Sequence, residues 1–147
     1  MATVDVEVHT TIDRPRAEVA AYCCDPDNVT AWYANIKAVQ RETAGPVTLG
    51  SRFRFTSSFL GRTLEYTYEV VDLAPAHRFV MRSDRGPFAM ETTYAWEDAD
   101  DGGTWMTLRN RGEPTGFAGL AGPILATAVR RATAKDLARL KSLLERR

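Results

Sequence analysis

The chain has 147 residues, enough for one domain with a proper core, and its 44% hydrophobic and 26% charged content is that of an ordinary soluble globular protein. Its formal net charge is zero, so no overall field draws it to nucleic acid or to a membrane surface. No apolar run approaches the roughly 18–20 residues of a membrane span, which argues against integral membrane association.

The opening MATVDVEVHTTID alternates apolar and polar residues and lacks the basic segment and apolar block of a signal peptide, so a cytoplasmic location is expected. Val4, Val6, Val8 and Ile12 fall on one face of a period-two strand over 3–12, with Asp5, Glu7, His9 and Thr11 on the other. In DRPRAEVAAYCCDP, Pro15 suits the first turn of a helix, and Val19, Tyr22 and Cys23 follow at helical spacing. The adjacent Cys23 and Cys24 read as small helix residues, because neighbouring cysteines rarely satisfy disulfide geometry and two thiols are too few for a zinc site. Asp25 is the expected N-cap of a second short helix carrying Val29, Trp32, Tyr33 and Ile36.

The pattern from residue 36 to 111 is almost entirely β. After a strand near 37–43, residues 51–59 set Phe53, Phe55, Ser57 and Phe59 against Arg52, Arg54, Thr56 and Ser58. A tight turn at Leu60-Gly61-Arg62 leads to 63–73, with Leu64, Tyr66, Tyr68 and Val70 against Glu65, Thr67 and Glu69. The pair Val70-Val71 breaks the alternation and predicts a bulge. Residues 78–83 place Phe79 and Met81 opposite Arg78, Val80 and Arg82. Residues 88–97 place Phe88, Met90, Thr92, Tyr94 and Trp96 opposite Glu91, Thr93 and Glu97. The run DADDGG, Asp98 to Gly103, reads as a hairpin turn; it lacks the spacing and terminal glutamate of a calcium loop. The last strand, 104–111, sets Met106 and Leu108 against Trp105, Thr107 and Arg109. The whole is an antiparallel meander with one apolar, strongly aromatic face and one polar face. Parity puts Glu65, Glu69, Glu91, Glu97, Arg52, Arg54, Arg82 and Arg109 on the outer face, where cross-strand ion pairs are expected. His9 also falls outward, and His77 falls at a turn.

A long C-terminal helix is the element left to cover the apolar face. Its seam runs Leu125, Val129, Thr133, Leu137, Leu140 and Leu144. Between Arg130 and Arg147 seven basic residues face two acidic ones, which reads as a solvated face favoured by the helix dipole. Upstream the helix is starved of side chain: nine of the nineteen residues from Gly116 to Ala134 are Gly or Ala. Gly116, Gly119 and Gly122 predict a loop or broken turn, with Pro123 in the first turn of the regular helix. Two readings are open. Small residues opposite large aromatics keep a pocket free, or they let helix and sheet pack closely.

On the pocket reading, the sheet side offers Tyr33, then Phe55, Ser57 and Phe59, then Tyr66 and Tyr68, then Phe79 and Met81. The later strands add Phe88, Met90, Thr92 and Tyr94, then Met106 and Leu108. The helix side offers Phe117, Leu120, Ile124, Leu125 and Ala128. Ser57, Tyr33, Tyr66, Tyr68, Thr92 and Tyr94 can hydrogen-bond a ligand carbonyl or hydroxyl. No inward ionisable residue is evident, and no nucleophile–His–acid set, phosphate loop, metal motif or cofactor motif is found. No catalytic residue is assigned.

The sequence resembles the START-like superfamily (the SRPBCC grouping), in its polyketide cyclase/dehydrase and lipid-transport branch. The resemblance rests on Val6-Glu7-Val8 through Ile12-Asp13-Arg14-Pro15, on Glu18-Val19, on Asp25-Pro26-Asp27-Asn28 and on Trp32-Tyr33. It continues in Tyr68-Glu69-Val70 with Pro75, in Arg78-Phe79 and in Asp136-Leu137-Ala138-Arg139-Leu140-Lys141. It covers essentially all of 1–147 as a single domain and implies an α+β helix-grip fold: β-α-α-β6-α, with a curved antiparallel sheet wrapped around a long C-terminal helix. It further implies a cavity between sheet and helix for a hydrophobic small molecule such as a polyketide, lipid or isoprenoid-like compound. The alternatives are a polyketide cyclase or dehydratase, in which Tyr or Arg groups polarise a carbonyl, and a partner-binding module built on the 112–123 segment. A homodimer through the edge strands is compatible with the pattern but nothing in it requires one. No nucleic-acid partner is expected, since no aromatics are interleaved with the basic residues.

Overall fold

The computed structural model describes residues 3–83, 89–113 and 122–147. Seven strands form one antiparallel sheet: β1 (Val4–Ile12), β2 (Ile36–Arg41), β3 (Arg52–Phe59), β4 (Arg62–Ala74), β5 (Arg78–Ser83), β6 (Ala89–Asp98) and β7 (Thr104–Glu113). Their order across the sheet is β1-β7-β6-β5-β4-β3-β2, so every neighbour is a hairpin partner except β1, which closes beside β7. Helices α1 (Arg16–Cys23) and α2 (Val29–Trp32) connect β1 to β2, and α3 (Gly122–Glu145) follows β7. No helix among the described residues is long and apolar enough to cross a membrane.

The local chemistry follows the sequence closely. Pro15 stands at the N-cap of α1, and the Asp25 carboxylate accepts the Asp27 N–H at 3.0 Å to open the turn that runs into α2. Cys23 is buried, Cys24 is half-buried, and both are free thiols. Leu60 and Gly61 make a two-residue hairpin turn with φ of 50° and 78°. The β4–β5 register shifts between Val70 and Asp72, with Val71 as the extra residue. This bulge turns the strand over: Leu64, Tyr68 and Val70 face inward before it, and Leu73, opposite Phe79, joins the core after it.

The outer face carries the expected ion pairs: Arg52–Glu69 at 2.8 Å, Arg109–Asp5 at 2.7 Å and Arg111–Glu91 at 2.9 Å. Val80 departs from its expected exposure. It points to the outer face opposite Asp72 yet is only 8% exposed. His9 is exposed and lies 4.5 Å from the Trp105 ring, centroid to centroid, and His77 is exposed at the β4–β5 turn beside Arg16.

The core lies between the sheet's inner face and α3. Trp32, Phe53, Phe55, Tyr94, Trp96, Met106 and Leu108 meet Leu125, Leu137, Leu140 and Leu144 there. Helix α3 is also tied to the first strand and its corner. Arg130 and Lys141 donate to the carbonyl oxygens of Glu7 and Thr11, Glu145 accepts the Asp13 N–H, and Arg14 donates to the Leu144 carbonyl.

Candidate functional site: a cavity under the long helix

A cavity of about 100 Å³ lies between the inner sheet face and the middle of α3. Strand β3 contributes Phe55, Ser57 and Phe59, β4 contributes Leu64, Tyr66 and Tyr68, and β5 contributes Met81. Strand β6 adds Met90, Thr92 and Tyr94, and β7 adds Asn110. The α2–β2 corner supplies Val29, Tyr33, Asn35 and Ile36, and α3 supplies Val129, Ala132, Thr133 and Asp136.

Ten residues singled out in the sequence meet at this cavity: Tyr33, Phe55, Ser57, Phe59, Tyr66, Tyr68, Met81, Met90, Thr92 and Tyr94. Six others do not. Phe79, Met106, Leu108 and Leu125 are close-packed in the core, at 2%, 0%, 0% and 0% exposure. Ile124 is 61% exposed, and Ala128 lies outside the lining. Phe88, Phe117 and Leu120 lie outside the described residues. Along α3 the described lining runs from Val129 to Asp136. Leu125 shares the seam and fills the space at its own level, so the opening begins only at Val129.

The polar lining is organised in pairs. Tyr33 Oη lies 2.8 Å from Tyr94 Oη, and Ser57 Oγ lies 2.7 Å from Tyr66 Oη. Thr92 donates its one hydroxyl proton to Asn110 Oδ1 at 2.7 Å, so Tyr68 is the donor in its 3.2 Å bond to Thr92. Asn110 Nδ2 then donates to Thr133 Oγ1 at 3.2 Å, carrying the chain of bonds from sheet to helix. Burial pushes all four tyrosine hydroxyls up, Tyr66 to about 12, so each is a neutral hydrogen-bonding group near pH 7.

Sequence reasoning missed one ionisable group, Asp136. It is 4% exposed, lines the cavity, and its Oδ1 accepts the Ala34 N–H at 3.0 Å. Burial raises its pKa to about 6, against the lowering effects of the Ala34 bond and the Arg139 charge. A signal was present. Asp136 stands three residues after Thr133 and seven after Val129, on the apolar seam, where a carboxylate is uncommon. Asn110 was equally legible as the continuation of the Met106–Leu108 parity. Among the described residues no group of His, Cys, Asp and Glu is arranged to hold a metal ion.

A sequence model of the family described as "Polyketide cyclase / dehydrase and lipid transport" matches residues 3–145. The chain belongs to this family. No curated protein matches it in sequence. Among solved structures, the Zhui aromatase/cyclase from a Streptomyces species superimposes with a TM-score of 0.78 at 21% identity, covering 99% of this chain and 95% of that one. TTHA0849 from Thermus thermophilus gives 0.79 at 17% identity, covering 94% of each chain. The ginseng major latex-like protein 151 from Panax ginseng gives 0.73 at 13%, covering 97% of each chain. These likenesses establish a helix-grip fold for this member of the family. They do not carry activity with them.

Proposed function

We propose that this chain binds a hydrophobic small molecule between its sheet and α3, in line with the polyketides, lipids and isoprenoid-like compounds suggested by the family. The observation that carries the reading is the cavity itself: aromatic side chains and paired hydroxyls on the sheet side, small Ala132 on the helix side. At about 100 Å³ it is well below the roughly 300–1,000 Å³ of sites for drug-sized ligands. A multi-ring or long-chain ligand therefore requires α3 to move. The reading takes the small molecule as the partner and involves no nucleic acid. Native mass spectrometry of the purified protein, followed by solvent extraction, tests it. A stoichiometric apolar adduct is expected. A clean apo mass with no uptake from a panel of fatty acids, quinones and aromatic polyketides would refute it.

Asp136 favours a second reading, a cyclase or dehydratase. A carboxylate with a pKa of about 6 is poised to take and return a proton near neutrality, and the tyrosine hydroxyls are placed to polarise a carbonyl. Turnover of the extracted compound by the wild type, lost in Asp136→Asn, separates enzyme from carrier.

A further inference from the structure

We propose that the cavity selects its ligand by charge: it takes a compact, single-ring molecule bearing a protonated amine, with Asp136 as the counter-ion. This rests on the small-molecule reading above and narrows it.

Three observations carry the inference. First, no Lys, Arg or His side chain is among the described residues lining the cavity, and Asp136 is the one acidic side chain among them. An anionic ligand meets no opposite charge there and is repelled by the carboxylate. Second, the walls are rich in aromatic rings. Phe55, Tyr66 and Tyr68 pack with centroids 5.2–5.7 Å apart, and across the site Tyr33 and Tyr94 share a hydrogen bond. Ring faces carry negative potential and attract a desolvated cation, the arrangement by which aromatic cages hold ammonium groups. Third, the volume, about 100 Å³ against about 150 Å³ for an apolar cavity that takes one benzene ring, sets one small ring with its amine as the upper limit of what can enter.

A buried carboxylate with a single backbone donor is poorly stabilised on its own. An ammonium group supplies further donors and a full opposite charge at once, which a hydroxyl cannot do. The groups facing Asp136 leave this role open. Tyr33 and Tyr94 are neutral, Tyr66 and Tyr68 likewise, and Arg139 is exposed on the next turn of α3.

The test compares three probes of one shape, benzylamine, benzyl alcohol and benzoate, by titration calorimetry at about pH 8 and about pH 5. Benzylamine is expected to bind about tenfold or more tightly than benzyl alcohol at the higher pH, with benzoate weakest. Its advantage should shrink at about pH 5, where Asp136 is mostly protonated, while benzyl alcohol changes little. Asp136→Asn should erase the amine advantage. The wild-type pH series decides the matter even if that variant fails to fold. Benzoate or benzyl alcohol binding as well as benzylamine, or a flat pH profile for the amine, overturns the charge selectivity while the small-molecule reading stands. If none of the three binds and native mass spectrometry still finds an apolar adduct, the amine proposal fails alone. If none binds and the mass is clean, both fail.

Discussion

Replacing Asp136 by Asn should make the protein more stable near neutral pH, and the size of the effect follows from the structure. The folded-state pKa stands at about 6 against an ordinary 3.8, and each unit corresponds to about 1.36 kcal/mol, so the ionised carboxylate costs the fold about 3 kcal/mol. The sign is that of a raised carboxyl. The folded state holds its proton longer than the unfolded chain, so this group's contribution is most favourable below about pH 4 and is lost as pH rises to about 6. Asparagine has nearly the same shape, retains an oxygen to accept the Ala34 N–H, and never ionises. The stability difference between variant and wild type should be small at about pH 4, grow through about pH 6 and level off near 3 kcal/mol above it. Urea unfolding across that range measures it. The carboxylates Asp5, Asp72 and Glu145 are held below their usual range by Arg109, Arg78 and Lys141 and act in the opposite direction, but they are common to both proteins and cancel. A difference independent of pH, or an Asn variant less stable at about pH 8 than the wild type, would refute the account. A carboxylate kept at such cost on an apolar helix seam is itself an argument for use, since sites of function are where stability is given up.

Four further substitutions test the geometry. Ala132→Trp should fill the cavity and abolish ligand uptake at an overpacking cost of about 1–3 kcal/mol, whereas Ala128→Trp should leave uptake intact; ligand titration with thermal melts reads both. Leu60→Asn should raise stability by about 1 kcal/mol, roughly 3 °C in Tm, because Leu60 is half exposed and holds a φ of 50° that asparagine tolerates better. Gly112→Ala should cost well over 1 kcal/mol by chemical denaturation: its φ is 151°, and an added Cβ would meet the Ala89 carbonyl and lie 2.9 Å from Met90 Cα.

The strands, their faces and the bulge were legible because each is written in period two, which needs only local information. The cavity was legible in kind, and its helix side only in part. Parity separates inward from outward but does not say which inward residues meet a partner. Phe79 and Leu108 share the inner face with Tyr66 and Thr92, and the way the sheet is covered decides that the first two are packed and the second two are not. Helix period likewise puts Leu125 and Thr133 on one seam without showing that only the latter borders space. Asp136 was overlooked for a different reason. In a helix with seven basic and two acidic residues over its last eighteen, one more charge reads as part of the solvated face unless its position is counted against the seam.

The bonds from α3 to β1 also decide how this molecule can meet another copy of itself. Strand β1 lies at one rim of the sheet, where an incoming strand would need free backbone carbonyls such as those of Glu7 and Thr11. Arg130 and Lys141 already occupy them. The basic residues of the helix are in this sense stoppers on an open ladder, and a neighbour could pair there only by lifting the helix. At the opposite rim, β2 is six residues long, irregular between Ile36 and Ala38, and carries the exposed Lys37 and Arg41. A dimer formed by joining sheets would have to do so through that short, charged strand.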